Sequence, residues 1–140
     1  SHARAHLYWQ YALFVFLALL VEFADAQDGV LRELGALDDR AMARELVRRA
    51  LEKGYGESRI RQELWQKGIP KEYWDEALSD LPDMSGAIDR YISRQLRGRS
   101  PDKKELQKLI AALQRRGHSW EDIRTGLRRY TDLLDSEEDF

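Results

Sequence analysis

Seven bases stand at helical spacings in two places. Arg44, Arg48 and Lys53, with Arg49 beside them, fall opposite an apolar stripe that includes Met42 and Leu46; Arg90, Arg94 and Arg97 recur at i, i+4 and i+7. Bases repeated on corresponding helix faces suit the phosphates of a nucleic acid or an acidic groove on a protein, with a salt dependence from counterion release. A charged outer face laced with i,i+4 pairs would use the same residue types. Tyr55 lies between Gly54 and Gly56, where a loop aromatic can stack on a base or fold back on the core. In "ESRIRQEL", Arg61 is expected to face solvent. Arg59 is placed to bond the end of a neighbouring helix or to pair with Glu63, four residues on.

Other chemistries find little support. The chain has no cysteine, so neither a disulfide framework nor a thiolate zinc site can form. Its three histidines, His2, His6 and His118, do not cluster along the chain. Asp38 and Asp39 are adjacent at an expected helix start, where capping and the helix dipole account for both. No phosphate-cradling glycine loop, HExxH or nucleophile elbow occurs. No catalytic, metal or cofactor residue is indicated, and a non-enzyme is expected. The net charge of −2 conceals an asymmetry: Arg90 to Tyr130 holds twelve Lys or Arg against four Asp or Glu. The last ten residues, "TDLLDSEEDF", carry five acids and no base. A basic block ending in an acidic tail fits a polyanion partner, with the tail competing for the same bases.

The elements that position these residues read as helices throughout, with no alternating strand pattern. Met42, Leu46, Val47 and Ala50 share a face in a segment opened by Asp38-Asp39 and closed by Gly54. A second helix, from about 57 to 67, turns Ile60 and Leu64 inward and stops at Gly68. Pro70 opens a third, bearing Trp74, Ala77, Leu78 and Leu81. The pattern then returns. Ala87, Ile88, Tyr91, Ile92 and Leu96 make a face, Ser100-Pro101 reads as a helix start, and Leu106, Leu109, Ile110 and Leu113 precede a stop at Gly117. Ser119 with Asp122 gives a capping-box-like start before Ile123, Leu127 and Tyr130. Leu64, Gly68, Trp74 and Leu78 meet Leu113, Gly117, Ile123 and Leu127 at a shift of 49, whereas "AMARELVRR" meets "AIDRYISRQ" at 46. The three-residue difference is assigned to the loop between helices. A three-helix unit is therefore used twice, and stacking is expected to bury what one unit leaves open. Trp65 is expected to be half exposed, and Trp120 to pack on the preceding helix.

"LGALDD" (Leu34 to Asp39), "KGYG" (Lys53 to Gly56), "RIRQEL" (Arg59 to Leu64) and "KGI" (Lys67 to Ile69), in that order, resemble the central part of the RecX family of RecA regulators. "LQRRG" and "WEDI" are similar to that family's last repeat. The likeness covers about Val30 to Tyr130 and implies tandem three-helix repeats. It also implies binding to RecA or the RecA filament, with single-stranded DNA as a second ligand. Modulation of recombination, DNA repair and the SOS response in the cytoplasm would follow. Only the closing helix of a first repeat, "VLRELG", is recognisable.

The expected architecture is all-α: an apolar N-terminal helix region over 1–29, the end of one repeat plus a complete one over 30–84, another over 85–134, and an acidic tail over 135–140. Leu7 to Val21 is fifteen residues with Gln10 as the only polar one, short of the ~18–20 apolar residues of a membrane span. Glu22 is expected to stop it. A helix buried in the fold or docked on a partner is the first expectation, and a membrane anchor, signal segment or self-association surface is the alternative. An all-round apolar helix must be covered by something.

Overall fold

A computed structural model of the chain describes residues 2–135; the last five residues of the acidic tail lie outside that range. Six α-helices and no strand occur among the described residues: α1 (His2–Glu52), α2 (Glu57–Gln66), α3 (Trp74–Leu78), α4 (Ser85–Leu96), α5 (Lys103–Arg115) and α6 (Trp120–Leu127). Short 3₁₀ turns at Lys71–Tyr73 and Leu133–Asp135 precede α3 and follow α6. The chain divides into two compact units, Ser1–Asp38 and Asp39–Phe140.

Asp38 and Asp39 do not start a helix, because α1 runs through them. An aspartate in a helix interior costs less than about 0.7 kcal/mol, which the helix-forming "RAMARELVRRALE" that follows outweighs. Nor does Glu22 stop α1. The first unit has no core of its own, and the expectation of a buried N-terminal helix fails: every residue from Leu7 to Phe23 is exposed. The helix is also longer than the apolar run suggested, and an 18-residue window in it averages a mean hydropathy of 1.7.

The second unit contains both repeats. Repeat A comprises the last turns of α1 with α2 and α3; repeat B comprises α4, α5 and α6. Each buries its own cluster rather than sharing one. Repeat A packs Ala43, Val47 and Ala50 against Ile60, Leu64, Ile69, Trp74 and Leu78. The buried stripe of α1 is rotated from the expected one: Ala43 lies inside, whereas Met42 is 42% exposed. The Trp74 indole N–H donates to the Ile69 carbonyl at 2.8 Å, so the one polar atom of that ring is satisfied inside the cluster. Repeat B packs Ile88, Ile92 and Leu96 of α4 against Leu106, Leu109 and Leu113 of α5 and Ile123 and Leu127 of α6. Each such side chain contributes roughly 1.5–3 kcal/mol by leaving water. Leu134 belongs to the same cluster at 3% exposure, so the chain is still core at that point and the acidic tail proper begins beyond it. Tyr130 ties the end of the repeat to α4 by donating to Asp89 Oδ1 at 2.6 Å.

Two starts resolve differently. Asp102, not Ser100, caps α5, its Oδ1 accepting from the Glu105 N–H at 2.7 Å. Ser119 caps α6 as its spacing to Asp122 predicts, at 3.2 Å. The three-residue difference between repeats also moves. α2 and α5 start 46 apart, at Glu57 and Lys103, but end 49 apart, at Gln66 and Arg115. The insertion is most of one turn within the second helix, not a longer loop.

Candidate functional site

Because each repeat closes its own core, something other than shared apolar burial joins them. The joint is two interlocked turns. The first, Lys53-Gly54-Tyr55-Gly56, links α1 to α2, and the second, Arg116-Gly117-His118, links α5 to α6. α2 has no side-chain cap of its own, and the orphan N–H groups at such a helix start need acceptors. Repeat B supplies them. Gly56 N–H donates to the Arg116 carbonyl at 2.8 Å and Ser58 N–H to the Gly117 carbonyl at 3.2 Å. In return the Arg116 guanidinium donates to the Lys53 carbonyl, and His118 Nε2 donates to the Gly54 carbonyl at 2.9 Å. Arg59 Nη1 reaches the Arg115 carbonyl at 3.4 Å.

The approach is close enough to require glycine on both sides. A Cβ on Gly56 would lie 2.4 Å from the Gly117 oxygen, and one on Gly117 would lie 2.4 Å from Arg59 N. Gly117 also takes φ +96°, a left-handed conformation that other residues rarely adopt.

Cations and aromatic rings fill the flanks. The Arg116 guanidinium lies 5.3 Å from the Tyr55 ring centre and 5.0 Å from that of Tyr91, and Arg59 lies 4.6 Å from Tyr55. Lys53 Nζ is 5.9 Å from the same ring. Such contacts are worth about 0.5–2 kcal/mol each, more where water is excluded. Tyr55 is thus an acceptor of structural cations, packed partly against the core of repeat A, rather than a free stacking platform. His118 is only 6% exposed. Because a carbonyl can only accept, Nε2 is the nitrogen that carries a proton here. Burial first, and then the Arg116 charge, hold its pKa below the ordinary histidine value, against the pull of the Gly54 carbonyl and Asp122.

The expected ridge of bases is thinner than the spacing suggests. Arg48 is clamped by Glu45 through Nη2 at 2.6 Å and Nε at 3.0 Å, and by Glu52 through Nη1 at 2.6 Å. Arg49 Nε shares Glu45 at 3.0 Å. The two guanidiniums hold the Glu45 carboxyl at about 2. Arg61 pairs with Glu57 at 2.9 Å, and Arg59 with Glu63 at 3.4 Å. Arg97 does not continue the α4 face. It is the C-cap at φ 50°, ψ 46°, which turns it out of the i, i+4, i+7 register. Among the described residues, Arg44, Arg90, Arg94 and Arg97 are exposed and enter no ion pair.

Repeat A has the same second turn as repeat B, at Lys67-Gly68, but nothing docks on it. Gly68 has φ +72° and no atom within 4 Å of the place a Cβ would take. The turn borders an open groove of about 830 Å³ whose walls include Met42, Leu46, Arg49, Lys53, Lys67 and Ile69. Two of the expected partner-binding residues, Arg49 and Lys53, therefore meet at one groove. Arg90 and Arg94 share α4, and Arg48 and Arg61 are tied to acids of their own helices. Trp65 is more open than expected, at 69% exposure, and Trp120 is 43% exposed. Sequence reasoning missed Arg116, His118 and Tyr91. The signal available was the RRGH turn itself, whose glycine aligns with Gly68 while the residue after it is the ionisable His118 where repeat A has the apolar Ile69. Among the described residues no group of three or more His, Cys, Asp or Glu could hold a metal ion.

Two family models match the second unit. Residues 38–78 match the second three-helix domain of RecX, and residues 88–127 match the third. Curated relatives agree. A regulatory protein RecX from Vibrio campbellii is 35% identical over 119 residues, covering 81% of this chain and 77% of the relative. One from Vibrio parahaemolyticus is 36% identical over 89 residues, covering 62% and 57%. One from Chlorobium phaeobacteroides is 35% identical over 98 residues, covering 69% and 65%.

Proposed function

The chain belongs to the RecX family, and from that premise we propose that it is a non-enzymatic regulator that binds RecA, or the RecA filament on single-stranded DNA, and restrains recombinase activity. The regulatory role is that of the family. RecA as the target, inhibition as the sense of the effect and a cytoplasmic site of action belong to the proposal. The observation that carries it is the interlocked joint between two RecX-type repeats. A filament offers its partner the same features at fixed intervals. A ligand whose contact groups are held at a fixed spacing pays less ordering entropy on binding such a lattice than one with repeats on a loose tether. Here the joint holds the open groove of repeat A, with Arg49, Lys53 and Lys67, in one register with exposed Arg90, Arg94 and Arg97 of repeat B. These bases also suit single-stranded DNA as a secondary, sequence-independent ligand.

The test is RecA's ATP hydrolysis on single-stranded DNA, titrated with the purified full chain. The rate should fall in proportion to the protein added. A rate unmoved at a several-fold excess over RecA would overturn the proposal.

A further inference from the structure

The repeats leave the first unit unexplained. There α1 carries apolar side chains with nothing over them: Trp9 is 77% exposed, Phe14 71% and Phe23 62%. Four successive residues, Phe14, Val15, Phe16 and Leu17, point in four directions about 100° apart and are all exposed. A second protein chain, or a second copy of this one, covers a helix from one side and leaves a polar stripe on the other. An interfacial helix lying on a membrane likewise needs a polar face. This segment has neither. Between Leu7 and Val21 the only polar residue is Gln10, whose side chain is 3.3 Å from the His6 ring.

The ends of the segment carry further chemistry. Arg4 lies before it, and Tyr8, Trp9 and Tyr11 cluster in its first turns. That is the arrangement of a membrane–water boundary, where aromatic rings sit at headgroup level and a long basic side chain reaches outward. Glu22 stands one residue inside the other end of the segment, and Asp25 and Asp28 follow it, which fixes that boundary at headgroup level. Leu7 to Phe23 is seventeen residues, about 25 Å of helix at ~1.5 Å per residue. It falls at the short end of what crosses a hydrocarbon layer of about 30 Å.

We infer that Leu7–Phe23 takes a lipid bilayer as its partner and spans it, tethering the repeats to a membrane surface. An occupant that surrounds the helix fits side chains that are apolar on every side, as the hydrocarbon of a bilayer does, and the aromatic and charged residues at the two ends fit its boundaries. The inference stands on the first unit alone and does not depend on RecA as the repeats' target.

The experiment is flotation of the full-length chain with vesicles of phosphatidylcholine and phosphatidylglycerol, washed in 1 M salt. Four single variants, Phe14→Lys, Val15→Lys, Phe16→Lys and Leu17→Lys, are run beside it. A charge near the centre of a span lowers partition roughly a hundredfold, so the parent chain should float after the wash and all four variants should be depleted. The thermal melt of the repeats should be the same in all five proteins. A parent chain left in the aqueous fraction overturns the inference. So does a set in which one or two of the four variants float like the parent, because a covered stripe, and hence a protein partner, would then be the occupant.

Discussion

Replacing Gly56 by alanine isolates the joint between repeats. Gly56 has φ −87° and ψ 173°, which alanine adopts without strain, so the only backbone term left is the stiffer unfolded chain, about 0.4–1 kcal/mol in alanine's favour and common to the control below. What remains is contact. The new Cβ would sit 2.4 Å from the Gly117 oxygen, 2.5 Å from its carbonyl carbon and 2.7 Å from the His118 nitrogen. Ordinary contact begins near 3.4 Å, so the turns must separate by about an ångström. Overpacking of this kind costs about 1–3 kcal/mol. The same movement stretches the Gly56 and Ser58 donations to repeat B, each worth about 0.5–1.5 kcal/mol net. The sum is about 2–6 kcal/mol, well above the ordinary cost of a surface change. Gly68→Ala is the control. It meets no neighbour but has φ +72°, so its cost is the left-handed conformation alone, about 1–2 kcal/mol. Urea unfolding followed by far-UV circular dichroism reads both. Gly56→Ala should lower the midpoint more than Gly68→Ala and broaden or split the transition, because repeats with separate cores would then unfold separately. A Gly56→Ala chain as stable as the Gly68→Ala chain, with a single sharp transition, would refute the account of the joint.

Arg90→Gln with Arg94→Gln should weaken single-stranded DNA binding and reduce the salt slope by about 1.4, at ~0.7 per phosphate contact. Arg48→Gln, already neutralised by Glu45 and Glu52, should change it far less; fluorescence anisotropy across a salt series measures both. For His118 the folded-state pKa lies below the ordinary 6.5, so below that pH the unfolded chain takes up a proton that the folded chain refuses. Stability should therefore be full above about pH 6.5 and fall on acidification towards pH 5.5, by at most ~1.4 kcal/mol per pH unit. Paired urea melts of the parent and His118→Gln should show the loss in the parent and a flatter profile in the variant.

The helices and their inward faces were legible because helical periodicity is local. Ile60 with Leu64, and Ile88 with Ile92 and Leu96, follow from spacing alone and are buried as spacing requires. Where local rules competed, the outcome turned on small differences. Ser100-Pro101 and Asp102 both offer a helix start, and the carboxylate won because it sits three residues before a free N–H at Glu105. The Asp38-Asp39 cap lost because a cap worth about 1 kcal/mol cannot interrupt strong helix formers on both sides. The pairing of Arg48 was in plain view, since Glu45 and Glu52 stand at i−3 and i+4. A count of bases without their acids overstated the ridge.

The joint was not legible, and the reason is physical. Two of its links run from backbone donors to backbone carbonyls, and the side-chain links also end on carbonyls, which every residue carries, some sixty positions away in sequence. Gly56, Gly117 and the RRGH turn mark it, and each glycine already has a local explanation at a helix terminus. That double use is also what suits the joint to its role. An apolar seam between two small cores would tolerate sliding, because dispersion and burial are nearly indifferent to register. Directed N–H to carbonyl bonds, closed by His118 on Gly54 and by Arg116 between Tyr55 and Tyr91, are satisfied in one register only. The repeats are therefore held by geometry more than by grease. The distance from the Arg49–Lys53 groove to Arg90 and Arg94 becomes a property of the fold, which is what the proposed binding to a regular polymer would need.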